Sequence, residues 1–297
     1  MRPIVVIHTN DQQMPAALVS AHSLKSRSKN PDGFDVRFLR LEETPYLLKR
    51  QNDSFLMWSD SVPQLWRRQD LQSFAPLRRM VPALLNFRGR ALVIDPDVFA
   101  IGDVYQLLSR DMEGKAILCR QKSQCREGRR LYSSAVMLLD CGKLTHWDWH
   151  RDIDEIFARR LPLGPWLNLL DESPERIGLF EEEWNHYDTL TERTKLLHNT
   201  NISTQPWRTG LRLDREEFSA EHSVWLRKVK RFFKQAVHRD KIPRYVRHPD
   251  WCQERLFFTL LKECIDERTV TPGFVREAIR KNYLRKDAFA RLAEVDR

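Results

Sequence analysis

An α/β chain, with a mainly parallel sheet flanked by helices and a helical C-terminal extension, is predicted by three observations. A strand–helix–strand run opens the chain. An unbroken apolar strand ends in Asp95-Pro96-Asp97. After about Gly210 the sequence turns richer in helix formers and positive charge.

The first strand is Ile4-Val5-Val6-Ile7, which stops at the polar run His8-Thr9-Asn10-Asp11. A helix is predicted from about Pro15 to Lys25, because proline suits a first turn and Ala17, Leu18, Ala21 and Leu24 recur at helical spacing. Asn30-Pro31-Asp32-Gly33 is a turn, and Phe34–Leu39 is the second strand. Two strands joined through a helix run parallel. Leu77–Asn86 reads as a helix leading through Gly89 into the strand Ala91–Ile94; further strands are expected at Ala116–Cys119, Ala135–Leu139 and Lys195–Leu197. In the tail, Val224–His238 places Trp225, Val229, Phe232, Phe233 and Ala236 on one helical face. Arg227, Lys230, Arg231 and Lys234 fall mainly on the other. The expected division is residues 1–210 as one catalytic domain and 211–297 as a basic helical region packed on it.

The chain has 297 residues, 41% of them apolar, which suffices for one large domain or a domain with an appendage. Its formal charge of +9 permits anionic ligands, nucleic acid or a membrane surface as partners and selects none of them. No apolar run approaches the ~20 residues of a membrane span, and Ile4–Ile7 is too short for a signal-peptide core. Five cysteines without a C-x-x-C pair argue against a disulfide scaffold or zinc site and for a reducing cytosol.

Asp95 and Asp97 carry the chemistry. Ala91–Ile94 lacks alternation, as in an interior strand covered on both faces. Pro96 suits a strand end, and residues two apart point the same way. Two carboxylates converging at the carboxyl edge of a sheet make a hard-oxygen site for Mg²⁺ or Mn²⁺, at the edge where α/β sheets collect ligands. The competing reading has Asp97 capping a turn and Asp95 paired with a nearby arginine.

Other segments recur around this motif. Leu77-Arg78-Arg79-Met80 precedes it, and Tyr132-Ser133-Ser134-Ala135-Val136-Met137 follows. Then come Glu183-Trp184-Asn185, Leu197-His198-Asn199-Thr200 and Gln205-Pro206-Trp207. Their order, over about Ile4 to Trp207, resembles the nucleotide-sugar glycosyltransferases of GT-A (Rossmann-like) fold, in particular family 8 and its bacterial relatives. The resemblance implies a metal held by Asp95, Asp97 and His198, with Mn²⁺ favoured over Mg²⁺ by the imidazole. It places Arg78 on the diphosphate or a pocket carboxylate, Asn10 and Asp11 at the base and ribose, and Ser133 and Ser134 at the donor sugar. Asn185 and Asp188 match a sugar- or acceptor-side motif, with Trp184 as a sugar floor or as core. Asp171 and Glu172 are candidates for a polar wall. Relatives commonly place Gly and Lys between the histidine and Pro-Trp. Here neither stands between Asn199 and Gln205, so Arg208 is the candidate cation.

The implied activity is transfer of a sugar, with retention, from a nucleotide-sugar to an acceptor hydroxyl on a glycan, a lipid-linked molecule or a small molecule. UDP is the nucleotide the resemblance favours, with GDP open. A nucleotidyltransferase would use the same carboxylates, but His8-Thr9-Asn10-Asp11 has no glycine to cradle phosphates. A basic nucleic-acid-binding protein has the charge in its favour but no recognised motif, and Glu216, Glu217 and Glu221 dilute the basic field. The location expected is cytoplasmic, or peripheral at the inner membrane if the basic helix 224–238 touches anionic lipid; packing on the domain is the favoured role of that helix.

Overall fold

The computed structural model describes residues 2–126, 128–213 and 244–295. The predicted helix Val224–His238 lies outside the described residues. The strands are β1 (Ile4–Thr9), β2 (Asp35–Arg40), β3 (Ser54–Phe55), β4 (Gln64–Leu65), β5 (Arg90–Ile94), β6 (Val98–Ala100), β7 (Ile117–Arg126), β8 (Arg129–Asp140), β9 (Ile177–Leu179), β10 (His186–Tyr187) and β11 (Leu196–His198). The main sheet runs β2-β1-β5-β8-β7-β9. Three of its pairs, β1·β2, β1·β5 and β7·β9, are parallel, whereas β5·β8 and β7·β8 are antiparallel. A second sheet, β10-β11-β6, leans on its carboxyl edge.

The predicted α/β class is what forms. β1 and β5 are buried along nearly their whole length, as their unbroken apolar runs require of interior strands. Helix α1 (Met14–Ser26) connects β1 to β2 and carries proline in its first turn. A nine-residue amphipathic helix α2 (Trp149–Phe157) covers a separate apolar cluster around Trp149, Trp166 and Phe74. The C-terminal helices α3 (Trp251–Asp266), α4 (Pro272–Arg280) and α5 (Ala288–Glu294) close a third cluster with Ala16 and Val19 of α1 and with Phe99 of β6. Trp207 stacks on Phe257 at 5.0 Å there and meets Phe99 edge-on at 5.6 Å.

Several boundaries differ from the sequence expectation. Leu77–Asn86 is not one helix. Ala75–Met80 winds as a 3₁₀ helix and Val81–Leu84 as a single α turn, after which Asn86 and Phe87 take φ of 49° and 52°. Pro82, inside that stretch, removes an N–H from the ladder and crowds the carbonyl a turn before it, so a regular helix cannot be sustained. β7 and β8 run well beyond their apolar cores into polar hairpin arms, where the two strands satisfy each other's backbone rather than burying side chains. The late strand begins one residue further on, at Leu196, and so includes His198.

Candidate metal and donor site

Two strand registers assemble the site. In β1·β5, Ile7 pairs with Ile94, so the next residues, His8 and Asp95, stand abreast at the carboxyl edge. In β6·β11, Val98 pairs with His198, which brings the imidazole beside Asp97. The turn between them is closed by Val98 N–H donating to the Asp95 carbonyl at 3.3 Å. Asp95 N–H donates to Ala135, which lays Ser133 and Ser134 of β8 alongside. Asp95, Asp97 and His198 are all buried, and one ligand atom from each lies within 4.8 Å of the other two.

The two carboxylates are held differently. Asp95 Oδ1 accepts from His8 Nε2 at 2.6 Å and from Arg78 Nη2 at 2.8 Å. Arg78 also donates to Ser134 Oγ at 2.8 Å, and Ser134 donates to the Leu167 carbonyl. Burial pushes the Asp95 carboxyl up, but the Arg78 guanidinium and His8 overcome it and hold Asp95 far below the usual carboxylate range. Burial also lowers the His8 pKa, against the pull of Asp95, and its Nε2 lies between Asp95 Oδ1 at 2.6 Å and the donating Arg78 Nε at 3.3 Å. Asp97 Oδ2 accepts from Gln205 Nε2 at 2.9 Å, while Asp97 Oδ1 is buried with no hydrogen-bond partner. His198 Nε2 faces it at 3.4 Å and stands 4.0 Å from Asp95 Oδ2.

His198 is oriented from behind. Its Nδ1 bonds Asn185 Oδ1 at 2.8 Å, and Asn185 Nδ2 donates to Ser133 Oγ at 3.1 Å. An imidazole whose rear nitrogen is bonded to an amide oxygen keeps that nitrogen protonated, which turns Nε2 towards the carboxylates. Burial would lower the His198 pKa, yet Asp97 and Asp95 together raise it above 6.5. The donor set suits a divalent cation. Three side chains converge, and Asp97 Oδ1 is a buried acceptor without a hydrogen bond of its own. The arginine pairing that the sequence allows for Asp95 forms at Oδ1, through Arg78.

The other predicted residues are placed as follows. Asn10 is buried, caps the turn after β1 and donates to Leu71 O and Ser73 Oγ. Asp11 pairs with Arg40 at 2.6 Å on the rim. Asp188 lies in a left-handed turn at φ 45°, where its carboxylate accepts from the Thr200 hydroxyl and the Asn201 N–H. Trp184 is buried in the main core, not laid bare as a sugar floor. Asp171 pairs with Arg79 at 2.6 Å, and Glu172 bonds His146 and Trp147, both away from the two aspartates' hydrogen-bond network. Arg208 is fully buried, with Nη2 on the Gln12 carbonyl at 3.0 Å and Nη1 on Tyr245 Oη at 3.4 Å.

Sequence reasoning missed His8, Gln205 and Gln253. His8 becomes visible only once β1 and β5 are known to be neighbours in that register. Gln253 of α3 joins the tail to the site: Asn199 Nδ2 donates to its Oε1 at 2.6 Å, and its Nε2 donates to the Asp188 carbonyl at 2.9 Å. Asn199 N–H in turn donates to the Asp97 carbonyl at 3.1 Å.

No protein-family model matches the sequence, and no curated protein resembles it in sequence. Solved structures do resemble it in fold. The galactosyltransferase LgtC, in complex with donor and acceptor sugar analogues, aligns at TM-score 0.50 and 13% identity, over 79% of this chain and 95% of that one. An active-site mutant of LgtC aligns at the same score and identity, over 84% and 99%. The glycosyltransferase GlyE of Streptococcus pneumoniae TIGR4 aligns at TM-score 0.47 and 14% identity, over 82% and 65%. The likeness to LgtC establishes the GT-A architecture.

Proposed function

We propose that this chain is a metal-dependent glycosyltransferase that moves a sugar from a nucleotide-sugar, a UDP-sugar before a GDP-sugar, to an acceptor hydroxyl with retention of configuration. One observation carries the reading: Asp95, Asp97 and His198 converge at the carboxyl edge of a GT-A sheet, with Asp97 Oδ1 buried and unpaired. A divalent ion bound there would neutralise the diphosphate and act as a Lewis acid.

The protein's own contribution is positioning. Arg78 and His8 keep Asp95 ionised, Gln205 fixes Asp97, and Asn185 with Ser133 aims His198. Asn185 is thereby a positioning residue. We assign Asn10 and Asp11 to the nucleotide end, Ser133 and Ser134 to the sugar, and the Asp188 turn to the acceptor side. The buried Arg208 holds the loop after β1. Residues 1–210 would form the catalytic unit and 211–297 a region packed on it, with the acceptor a glycan, a lipid-linked molecule or a small molecule. A cytoplasmic site of action, with or without membrane contact through 224–238, completes the proposal. Among the described residues no helix is long and apolar enough to cross a membrane.

A thermal-shift titration with UDP or GDP, each with Mn²⁺, Mg²⁺ or EDTA, tests the reading. A ligand that binds only the folded state raises Tm with its concentration. A metal-requiring shift with one nucleotide, lost in Asp97→Asn, is the expected result. No shift with any nucleotide–metal pair overturns it.

A further inference from the structure

We propose that a cavity on the far side of the 3₁₀ turn Ala75–Met80 is a second binding site, for a neutral carbohydrate of mono- or disaccharide size, distinct from the metal and donor site. Consecutive residues of a 3₁₀ turn point about 120° apart. Arg78 accordingly reaches Asp95 and Ser134, while Arg79 turns away from them, to Asp171 at 2.6 Å and the Trp166 carbonyl at 3.3 Å. Around Arg79 lies a cavity of about 420 Å³, walled by helix α2, by His146 and Trp147, and by Asp171 and Glu172. It shares no residue with the cluster of Asp95, Asp97 and His198. Small-molecule sites typically enclose about 300–1,000 Å³. His146 and Asp171 reach the surface, so the cavity opens to solvent.

Two buried polar atoms in its lining have no hydrogen-bond partner among the described residues. Glu172 is 6% exposed; its Oε1 accepts from His146 Nε2 at 2.8 Å and from the Trp147 indole, whereas Oε2 accepts from nothing. Arg79 is 3% exposed, its guanidinium carbon 4.3 Å from the ring centre of Trp147 and 4.8 Å from that of Trp166, and its Nε–H donates to nothing. The two side chains are neighbours, with Arg79 Nη2 at 3.6 Å from Glu172 Oε1. An unmet acceptor and an unmet donor side by side are costly in a protein interior. Hydroxyl groups, which both donate and accept, answer both.

The charges select the class of ligand. Asp171 is matched by Arg79 and Glu172 by His146; at the rim Arg151 pairs with Asp152 at 3.0 Å and Arg160 with Glu155 at 2.7 Å. Such a lining alternates in sign and offers no one-sided field to a phosphate or an ammonium. A phosphate would meet a carboxylate beside every arginine. An ammonium would serve Glu172 but leave Arg79 Nε unmet and face its charge. A divalent ion has no nest here, since among the described residues only Asp95, Asp97 and His198 bring three ligand atoms together. A sugar ring presents adjacent hydroxyls to carboxylate and guanidinium, and its C–H faces suit Leu161 and Trp147 of the same wall. Asp152 also accepts from Trp166 Nε1 at 2.9 Å, so this wall is fixed before a ligand arrives, which lowers the cost of binding.

The test is binding of the labelled full chain to an array of neutral hexose oligosaccharides and their sialylated forms, in EDTA and without nucleotide. Wild type, Glu172→Gln, Arg160→Trp and Asp97→Asn are compared. The Arg160 side chain is 65% exposed, so Arg160→Trp fills the mouth of the cavity without disturbing its buried side. Neutral glycans should bind the wild type and Asp97→Asn alike, while Glu172→Gln and Arg160→Trp should each weaken that binding roughly tenfold or more. No glycan bound by the wild type, or a preference for the sialylated forms, overturns the site. Binding lost in Asp97→Asn and kept in the two cavity variants assigns the glycan to the metal site and overturns the proposal as well. UDP titrated with Mn²⁺ into the same proteins reads the donor site separately. The cavity variants should bind it as the wild type does, so either reading can fail while the other stands.

Discussion

On the side of the site built by the main sheet, Asp95 gives one oxygen to His8 and Arg78 and is held ionised by them. On the side built by the three-stranded sheet, Asp97 has one oxygen fixed by Gln205 and the other, Oδ1, buried without a partner beside His198. The two aspartates are two residues apart and each has one oxygen fixed by the protein, Asp95 by a charged partner and Asp97 by a neutral amide. A buried arginine–carboxylate pair is costly to break, whereas a hydrogen bond from a neutral amide is worth less. The first half should therefore fail by unfolding, the second by losing its metal.

The largest effect expected is on the first half. Asp95→Ala leaves Arg78 buried without its carboxylate, and breaking such a pair costs about 3–5 kcal/mol. Urea unfolding of the metal-free protein measures it. Asp97→Ala should change metal-free stability much less while abolishing Mn²⁺-dependent nucleotide binding. Equal destabilisation by the two would erase the distinction.

Next in size are the residues behind the ligands. Asn185→Ala frees the His198 ring, and Gln205→Ala frees Asp97. Each should weaken Mn²⁺ binding about 10–100-fold, as loss of an outer-shell partner does. Manganese titration followed by calorimetry reads this directly. Gln253→Ala, acting one residue further back through Asn199, should cost only about 1 kcal/mol of stability and a few-fold in metal affinity. A loss as large as that of Asn185→Ala would give the C-terminal helix a more direct hold on the metal.

The smallest and most diagnostic effect is on pH. His8 is neutral in the fold with a lowered pKa, so the unfolded chain takes up its proton first, and stability falls as pH drops below 6.5. His198 is raised, so its contribution is complete below 6.5 and is lost as pH climbs through its folded value. In metal-free protein His8→Gln should remove the acid-side loss and His198→Gln the alkaline-side loss, read as urea midpoints from about pH 5 to about pH 8. Because the ion must displace the His198 proton, Mn²⁺ affinity should rise with pH across the same interval.

Much of this was legible before any coordinates. The β1–α1–β2 unit follows from apolar runs, Pro15 and an Asn-Pro-Asp-Gly turn, all local signals. Asp95, Asp97 and His198 were visible as residue types near strand ends, and the resemblance joined them. The apolar spacing over Leu77–Asn86 is helical, while Pro82 within it forbids the regular hydrogen-bond ladder. The polar arms of β7 and β8 have no apolar period, so nothing in the sequence marks them as strands.

The sequence by itself determined the layers, the carboxyl edge and the chemical types available there. These depend on short-range preference and on a periodicity that any window of the chain displays. Tertiary structure alone decided which oxygen of each aspartate is free. That choice follows from strand register, Ile7 against Ile94 and Val98 against His198, which sets His8 beside Asp95 and His198 beside Asp97. Register between segments roughly ninety residues apart is fixed by packing of the whole sheet.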